Sequence, residues 1–487
     1  MLSNIEEIVN RLKQETNYIT DIIYRLKIIK KKKIYIIYNE PLVSSDRISD
    51  FIIRSLTNLD KKKINPKNIL KVIENDISNF KVTLIDNYDD LCLYIHRGFT
   101  VILIDGEEQG LILETKGNIK RSIATPIAEN TLRGARDAFV EDYQTNIGLI
   151  KKRIKSNNLW MNNASLGKYT KTQIGILAIN GVVKNDLFKK VCKRLKKINI
   201  DGVINSDIIK NLIEQENKSP FPTVITTERP DIVCQALLNG KVVIIVDNSP
   251  YALIIPGFLN DFFKTTEDIY GKSINVSFTR ILKCLAFIIA LLCPAIYISL
   301  ITYNQEMIPT ELLVNFATQR DGVPFPAFFE ATIMIISFEI LRESDLRVPS
   351  FSGSALSIVG ALILGEAAVN AGIVSPIMII IIAITAISSL PFTEPDLINS
   401  LRWYRLFFMI GASFLGIVGV VAAFIYFLIK LSSLETFGKP YLMPYVPTSI
   451  IGLKNSFIKF PVKKQTNRLP YLSNNNIKQR GEQNENI

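Results

Sequence analysis

Residues 406–429 (LFFMIGASFLGIVGVVAAFIYFLI) run for 24 positions without a charged side chain. As one helix the run would extend about 36 Å, more than a bilayer hydrocarbon core of about 30 Å. Trp403, Tyr404 and Arg405 precede it and Lys430 follows it, residue types suited to a membrane interface. A chain holding such a segment is not one uniform soluble globule, and its charges are segregated to match. Residues 281–429 carry only 6 Lys/Arg and 10 Asp/Glu, net −4, whereas 1–280 carry net +10 and 430–487 carry net +6. Disorder is excluded as well, because 48% of the residues are hydrophobic and there is ample apolar surface to bury.

The rest of the apolar half follows from the same logic. Residues 281–302 (ILKCLAFIIALLCPAIYISLIT) read as a span whose Lys283 snorkels at the edge and whose Pro294 kinks it. Residues 354–390 hold a single charge, Glu366, and suffice for two spans turning near Ala371 and Gly372, or for two re-entrant pieces. Residues 325–341 are long enough to cross but carry Glu330 and Glu339, each costing about 2.5–3.5 kcal/mol at mid-bilayer. An interfacial or bundle-buried helix suits them at least as well. Basic residues flank the first span, a net +6 tail follows the last, and the 303–323 loop is acidic, so the positive-inside rule puts both termini in the cytosol. An even number of crossings is then required, and four crossings plus one non-crossing helix are expected.

Residues 1–280 show alternating strand and helix signals and an internal duplication. A shift of 142 aligns 82–113 with 224–255 without a gap, with 9 of 32 positions identical, among them Asp89/Asp231, Cys92/Cys234, Gly98/Gly240 and Asp105/Asp247. The expected fold is therefore an α/β cytosolic domain of two related lobes followed by an all-α polytopic membrane domain. Lobe 1 takes residues 1–125 and lobe 2 residues 126–275. The transmembrane helices occupy 276–430, and 431–487 form a basic cytosolic tail whose end, from 474 on, has a disordered composition. A cleft between two such lobes is a common place for a small ligand.

The chemistry expected of this chain is not catalytic. No P-loop, GxGxxG, HExxH, GxSxG or EF-hand pattern occurs, and five cysteines without CxxC spacing suggest neither zinc nor disulfides. No catalytic residue, cofactor or metal is expected. The one histidine, His96, reads as structural, and Glu107-Glu108 as a solvated turn. The run Lys30–Lys33 lacks interleaved aromatics, so membrane lipid or solvent is a better partner for it than nucleic acid. The informative residues are intramembrane. Glu366 lies among Gly360, Gly365, Ala367, Ala368 and Gly372, small residues that let helices approach, and Asn370 is one turn on along the same face. A carboxylate there must face protein or water, so Glu366 and Asn370, with Glu330 and Glu339, are the candidate pore or intramembrane polar residues. For Glu366, an ion pair or hydrogen bond that only holds the bundle together is the competing reading. Glu330 and Glu339 are nine residues apart, about 180° around a straight helix, and cannot both face one narrow pore.

Four strings then carry a resemblance: RGARDAFVEDYQTNIGLIKKRIK (133–155), SPFPTVITTERPDIVCQALLNGKVVIIVDNSPYALIIPGFLNDFF (219–263), EMIPTELLVNFATQRDGVPFPAFFEATIMIISFEILRE (306–343) and ETFGKPYLMPYVP (435–447). Together they resemble the A subunit of the GerA-type spore germinant receptors over about 131–447, with Ala135 where that family usually has proline and Lys151-Lys152 where it more often has arginine. The resemblance implies a non-enzymatic receptor subunit in the inner spore membrane. It further implies a ligand-gated ion channel formed by self-oligomerisation, working with a permease-like B subunit and a lipoprotein C subunit and releasing monovalent cations during germination. A secondary transporter and a non-conducting membrane scaffold are the alternatives. The first lacks a visible inverted repeat, and the second leaves Glu366 without a role.

Overall fold

The computed structural model describes residues 5–16, 20–29, 32–61, 70, 73, 82–115, 125–126, 129, 131, 134–214, 219–345, 365–461, 468 and 471–473. Two compact units result. One comprises Met1–Glu216, Val224–Pro256 and Val462–Ile487, the other Asn217–Thr223 and Gly257–Pro461.

The first unit holds two five-stranded sheets. Strands β1 (Ile22–Ile29), β2 (Lys32–Asn39), β4 (Thr100–Ile104), β5 (Gly110–Leu113) and β3 (Val82–Ile85) lie in that spatial order. So do β6 (Leu159–Leu166), β7 (Thr172–Ile179), β9 (Val242–Val246), β10 (Ala252–Ile255) and β8 (Ile225–Thr227). Every pairing is antiparallel. The fourth strand of each lobe (TVILI, VVIIV) is apolar at almost every position and buried at all five, as a strand covered on both faces must be. The first strands lie at the edges and expose part of their length.

The two lobes are copies down to single hydrogen bonds. Asp105 donates its amide to the Lys33 carbonyl at 2.9 Å, and Asp247 donates to Gln173 at 3.0 Å. Gly98 ends α3 (Tyr88–His96) at φ +83°, and Gly240 ends α7 (Pro230–Leu238) at φ +86°, a left-handed conformation that spares glycine a steric cost. Cys92 and Cys234 are both buried. The lobes meet where α4 (Tyr143–Arg153) brings Lys151, itself buried, to Asp21 at 2.8 Å and Asn39 at 3.1 Å. Removing one member of such a pair would strand a buried charge, at a cost of about 3–5 kcal/mol.

The second unit is helical. Its main members are α8 (Ser273–Thr302), α9 (Thr310–Arg320), α10 (Ala327–Asp345), α11 (Pro376–Ile387) and α12 (Pro395–Ser433). Among the described residues, α8 and α12 are long and apolar enough to cross a membrane. The expectation of one continuous span over 406–429 is overturned. Gly416, at φ +59° and ψ −139°, breaks α12, and the chain folds back on itself. The rings of Tyr404 and Phe427 are 4.8 Å apart, although 23 residues of straight helix would separate them by about 35 Å. Phe407 and Tyr426 lie 5.4 Å apart in the same seam. A side chain at 416 would run into Asn304 and Tyr303, and the Asn304 Oδ1 accepts the Ile417 amide at 3.0 Å, satisfying a donor at the bend. Of the expected pair of spans over 354–390, residues 354–364 lie outside the described residues, as do Lys30 and Lys31 of the basic run and the tail from 474 on.

Candidate functional site

Among the polar clusters in the described residues of the helical unit, three involve residues marked out in the sequence, and two of these are positioned by a backbone feature. Glu330, at the start of α10, is fully buried. Arg320 at the end of α9 donates to its Oε1 at 3.0 Å, while the amide and hydroxyl of Ser375 donate to its Oε2 at 3.0 Å each. Ser375 is also the N-cap of α11, so the carboxylate faces a helix N-terminus, where anions are favoured.

Glu339, two and a half turns further along α10, pairs with Arg402 of α12 at 2.8 Å and with Arg342 at 3.3 Å. The two glutamates of α10 are thus held by different partners and do not share a site. Both are tied into ion pairs.

The third cluster was not legible as a site. Pro294 inside α8 has no amide hydrogen, so the carbonyl four residues earlier, Ala290, loses its helical donor. Arg405 fills the gap, its Nε donating to the Ala290 oxygen at 2.7 Å. Arg405 is buried, not the interfacial flank that its place before the apolar run suggested. The available signal was the proline itself, which announces an orphan acceptor and therefore a donor from another helix.

Glu366 and Asn370 differ from all of these. Both lie on the short helical stretch 365–370 and both are exposed. Among the described residues, no cation stands within ion-pair distance of Glu366. Together with Asn370 it presents a polar strip on an apolar unit.

The lobe junction of the first unit holds a cavity of about 570 Å³ beside Glu15, Cys92, His96, Asn157 and Trp160. His96 Nε2 meets Asn157 Oδ1 at 2.5 Å, and burial pulls the imidazole down to about 4, so the ring is neutral and structural. Glu15 accepts from the Tyr88 hydroxyl at 2.9 Å. Among the described residues, no group of three or more His, Cys, Asp or Glu side chains is placed to hold a metal ion.

Comparison with known proteins adds what geometry alone does not. A family model described as Bacillus/Clostridium GerA spore germination protein matches residues 10–471. Spore germination protein KA of Bacillus subtilis (strain 168) is 39% identical over 452 residues, covering 92% of this chain and 83% of that protein. An uncharacterized membrane protein of the same organism, YfkQ, is 37% identical over 434 residues, covering 89% and 84%. Among solved structures, the N-terminal domain of the A subunit of the Bacillus megaterium spore germinant receptor GerK3 matches at 29% identity and a TM-score of 0.42, over 52% of this chain and 94% of that one.

Proposed function

This chain belongs to the Bacillus/Clostridium GerA spore germination protein family, and we propose that it acts as the A-type subunit of a germinant receptor. In this reading it is a multi-pass protein of the inner spore membrane with its α/β lobes cytosolic. It has no catalytic centre, and its oligomers form a ligand-gated cation channel. Its partners are further copies of itself, a permease-like B subunit, a lipoprotein C subunit and the surrounding lipid. The name of the relative YfkQ and the two long apolar helices support the membrane assignment.

The observation that carries conduction is the contrast among the carboxylates. Glu330 and Glu339 are consumed by arginines, whereas Glu366 is exposed and has no ion-pair partner among the described residues. An ionised group in that position needs water, and an assembly with Glu366 and Asn370 toward a wet axis supplies it, with a ring of carboxylates drawing cations. A scaffold would not need that strip. The purified chain in liposomes should pass monovalent cations, and Glu366→Gln should lower the flux several-fold while leaving insertion and assembly intact. Unchanged flux with collapsed assembly would make Glu366 a structural contact and end the channel assignment for this strip.

A further inference from the structure

The two lobes differ at one seam, and the difference makes a groove. In lobe 1 the edge strand β1 runs beside α2 (Arg54–Lys61), and Lys27 of the strand donates to the Thr57 hydroxyl of the helix at 2.5 Å, bridging the gap. The strand registers identify the counterpart of Lys27 in lobe 2. Lys27 faces Ile34 in β2, and Ala164 of β6 faces Ile174, the position of β7 equivalent to Ile34. Alanine cannot reach across, and the contact that does cross in lobe 2, from the Asn162 side-chain amide to Cys192 Sγ at 3.8 Å, lies at one end of the gap. Between β6 and α5 (Asn185–Lys196) a cavity of about 470 Å³ remains, lined along the strand by Asn162 to Lys168 and along the helix by Cys192, Leu195 and Lys196.

Three properties of this groove point to one kind of occupant. First, β6 is an edge strand: among the described residues it pairs only with β7, so its outer backbone amides and carbonyls are free to take another strand. Second, a groove between an edge strand and a helix fits an extended peptide, the strand giving main-chain hydrogen bonds and the groove taking alternate side chains. Third, its rim is basic. Exposed Lys168 and Lys196 line it, and exposed Lys193 and Lys197 lie close to Lys196 in the chain, against the exposed acids Asp201 and, at the start of α5, Asp186. We propose that the β6–α5 groove binds an extended acidic segment of a partner protein by strand addition. A nucleic acid or an anionic bilayer would use the lysines but neither the strand edge nor the groove.

The test uses the full-length chain in detergent and a fluorescent peptide of alternating valine and glutamate, followed by anisotropy. Lys196→Glu should weaken binding about tenfold or more. Ala164→Lys is the decisive variant, because it adds a positive charge yet fills the gap with a side chain as long as the Lys27 that crosses it in lobe 1. Strand addition requires Ala164→Lys to weaken binding by at least about tenfold, with the melting temperature of the chain unchanged. Stronger or unchanged binding in Ala164→Lys would show attraction by charge alone and overturn the proposal. So would equal binding of a proline-interrupted peptide that cannot pair with an edge, or complete displacement of the peptide by short duplex DNA or by phosphatidylserine vesicles from both wild type and Ala164→Lys.

Discussion

At the scale of single residues, buried groups in the first unit set opposite pH dependences. Burial holds His96 down to about 4, so its contribution to stability is full above its unfolded value of about 6.5 and is lost as pH falls toward 4. Burial raises Glu129 to about 7, so its contribution is full below the unfolded carboxyl value and is lost as pH rises through 7. Between pH 4.5 and 6.5 the two slopes oppose each other and the pair is nearly silent. Each variant should unmask the other. In His96→Gln, stability should fall relative to wild type as pH rises from 4.5 to 7, by up to about 3 kcal/mol, and Glu129→Gln should show the reverse slope. Denaturant midpoints of the full chain across that range check both signs. Sequence reasoning found His96 as a structural residue because a lone histidine on a helix has few other roles. It had no access to Glu129, whose burial is made by residues about a hundred positions away: the Glu228 carboxylate takes its amide, and its own carboxylate takes the Thr227 hydroxyl.

At the scale of elements, the repeat was legible and the hairpin was not, for the same physical reason. Lobes repeat through side-chain identities at fixed spacing, such as Cys92/Cys234 and Gly98/Gly240, which a shifted alignment detects. The bend in α12 lies in the string FLGIVG, where every neighbour is apolar or small and no polar turn residue marks it. In a hydrophobic run, glycine reads equally as a helix-packing residue or as a break, and only Asn304, a hundred residues upstream, decides between them by capping the Ile417 amide. Two measurements follow. Cysteines placed at 404 and 427 in a cysteine-free chain should cross-link with a short reagent, whereas a continuous helix would hold them about 35 Å apart and give no product. Gly416→Ala should abolish the cross-link or cost more than about 2 kcal/mol, since the backbone conformation is one that favours glycine and the added carbon meets Tyr303 and Asn304. Arg405→Met should loosen the same hairpin from α8, because it strips the donor from the carbonyl that Pro294 leaves open. Pro294→Ala, which restores the helical donor, should rescue it in part.

At the scale of the whole molecule, the hairpin changes the arithmetic of membrane crossing. A single span over 406–429 would contribute one pass, whereas a helix that turns at Gly416 contributes an outward and a return pass, or none. Its bend packs on Tyr303 and Asn304, just past the C-terminal end of α8, so α8 and the first arm of α12 run the same way. The Glu330 cluster lies at that end too, because Tyr297, one turn from the close of α8, packs on Phe316 of α9, the helix that supplies Arg320. Glu330 and Ser375 begin α10 and α11, so both of these helices run back. If α8 leads outward, α10 and α11 lead inward and α12 cancels itself. With both termini cytosolic, as the proposed function has them from the charge asymmetry, this orientation puts 308, 322 and 416 on the outer side and 392 and 455 on the inner side. Single cysteines at 308, 322 and 416 should therefore react with a membrane-impermeant reagent from outside, and those at 200, 392 and 455 only after the membrane is opened. Labelling of 392 from outside would mean that α11 does not return. It would break the parity on which the cytosolic placement of the lobes depends.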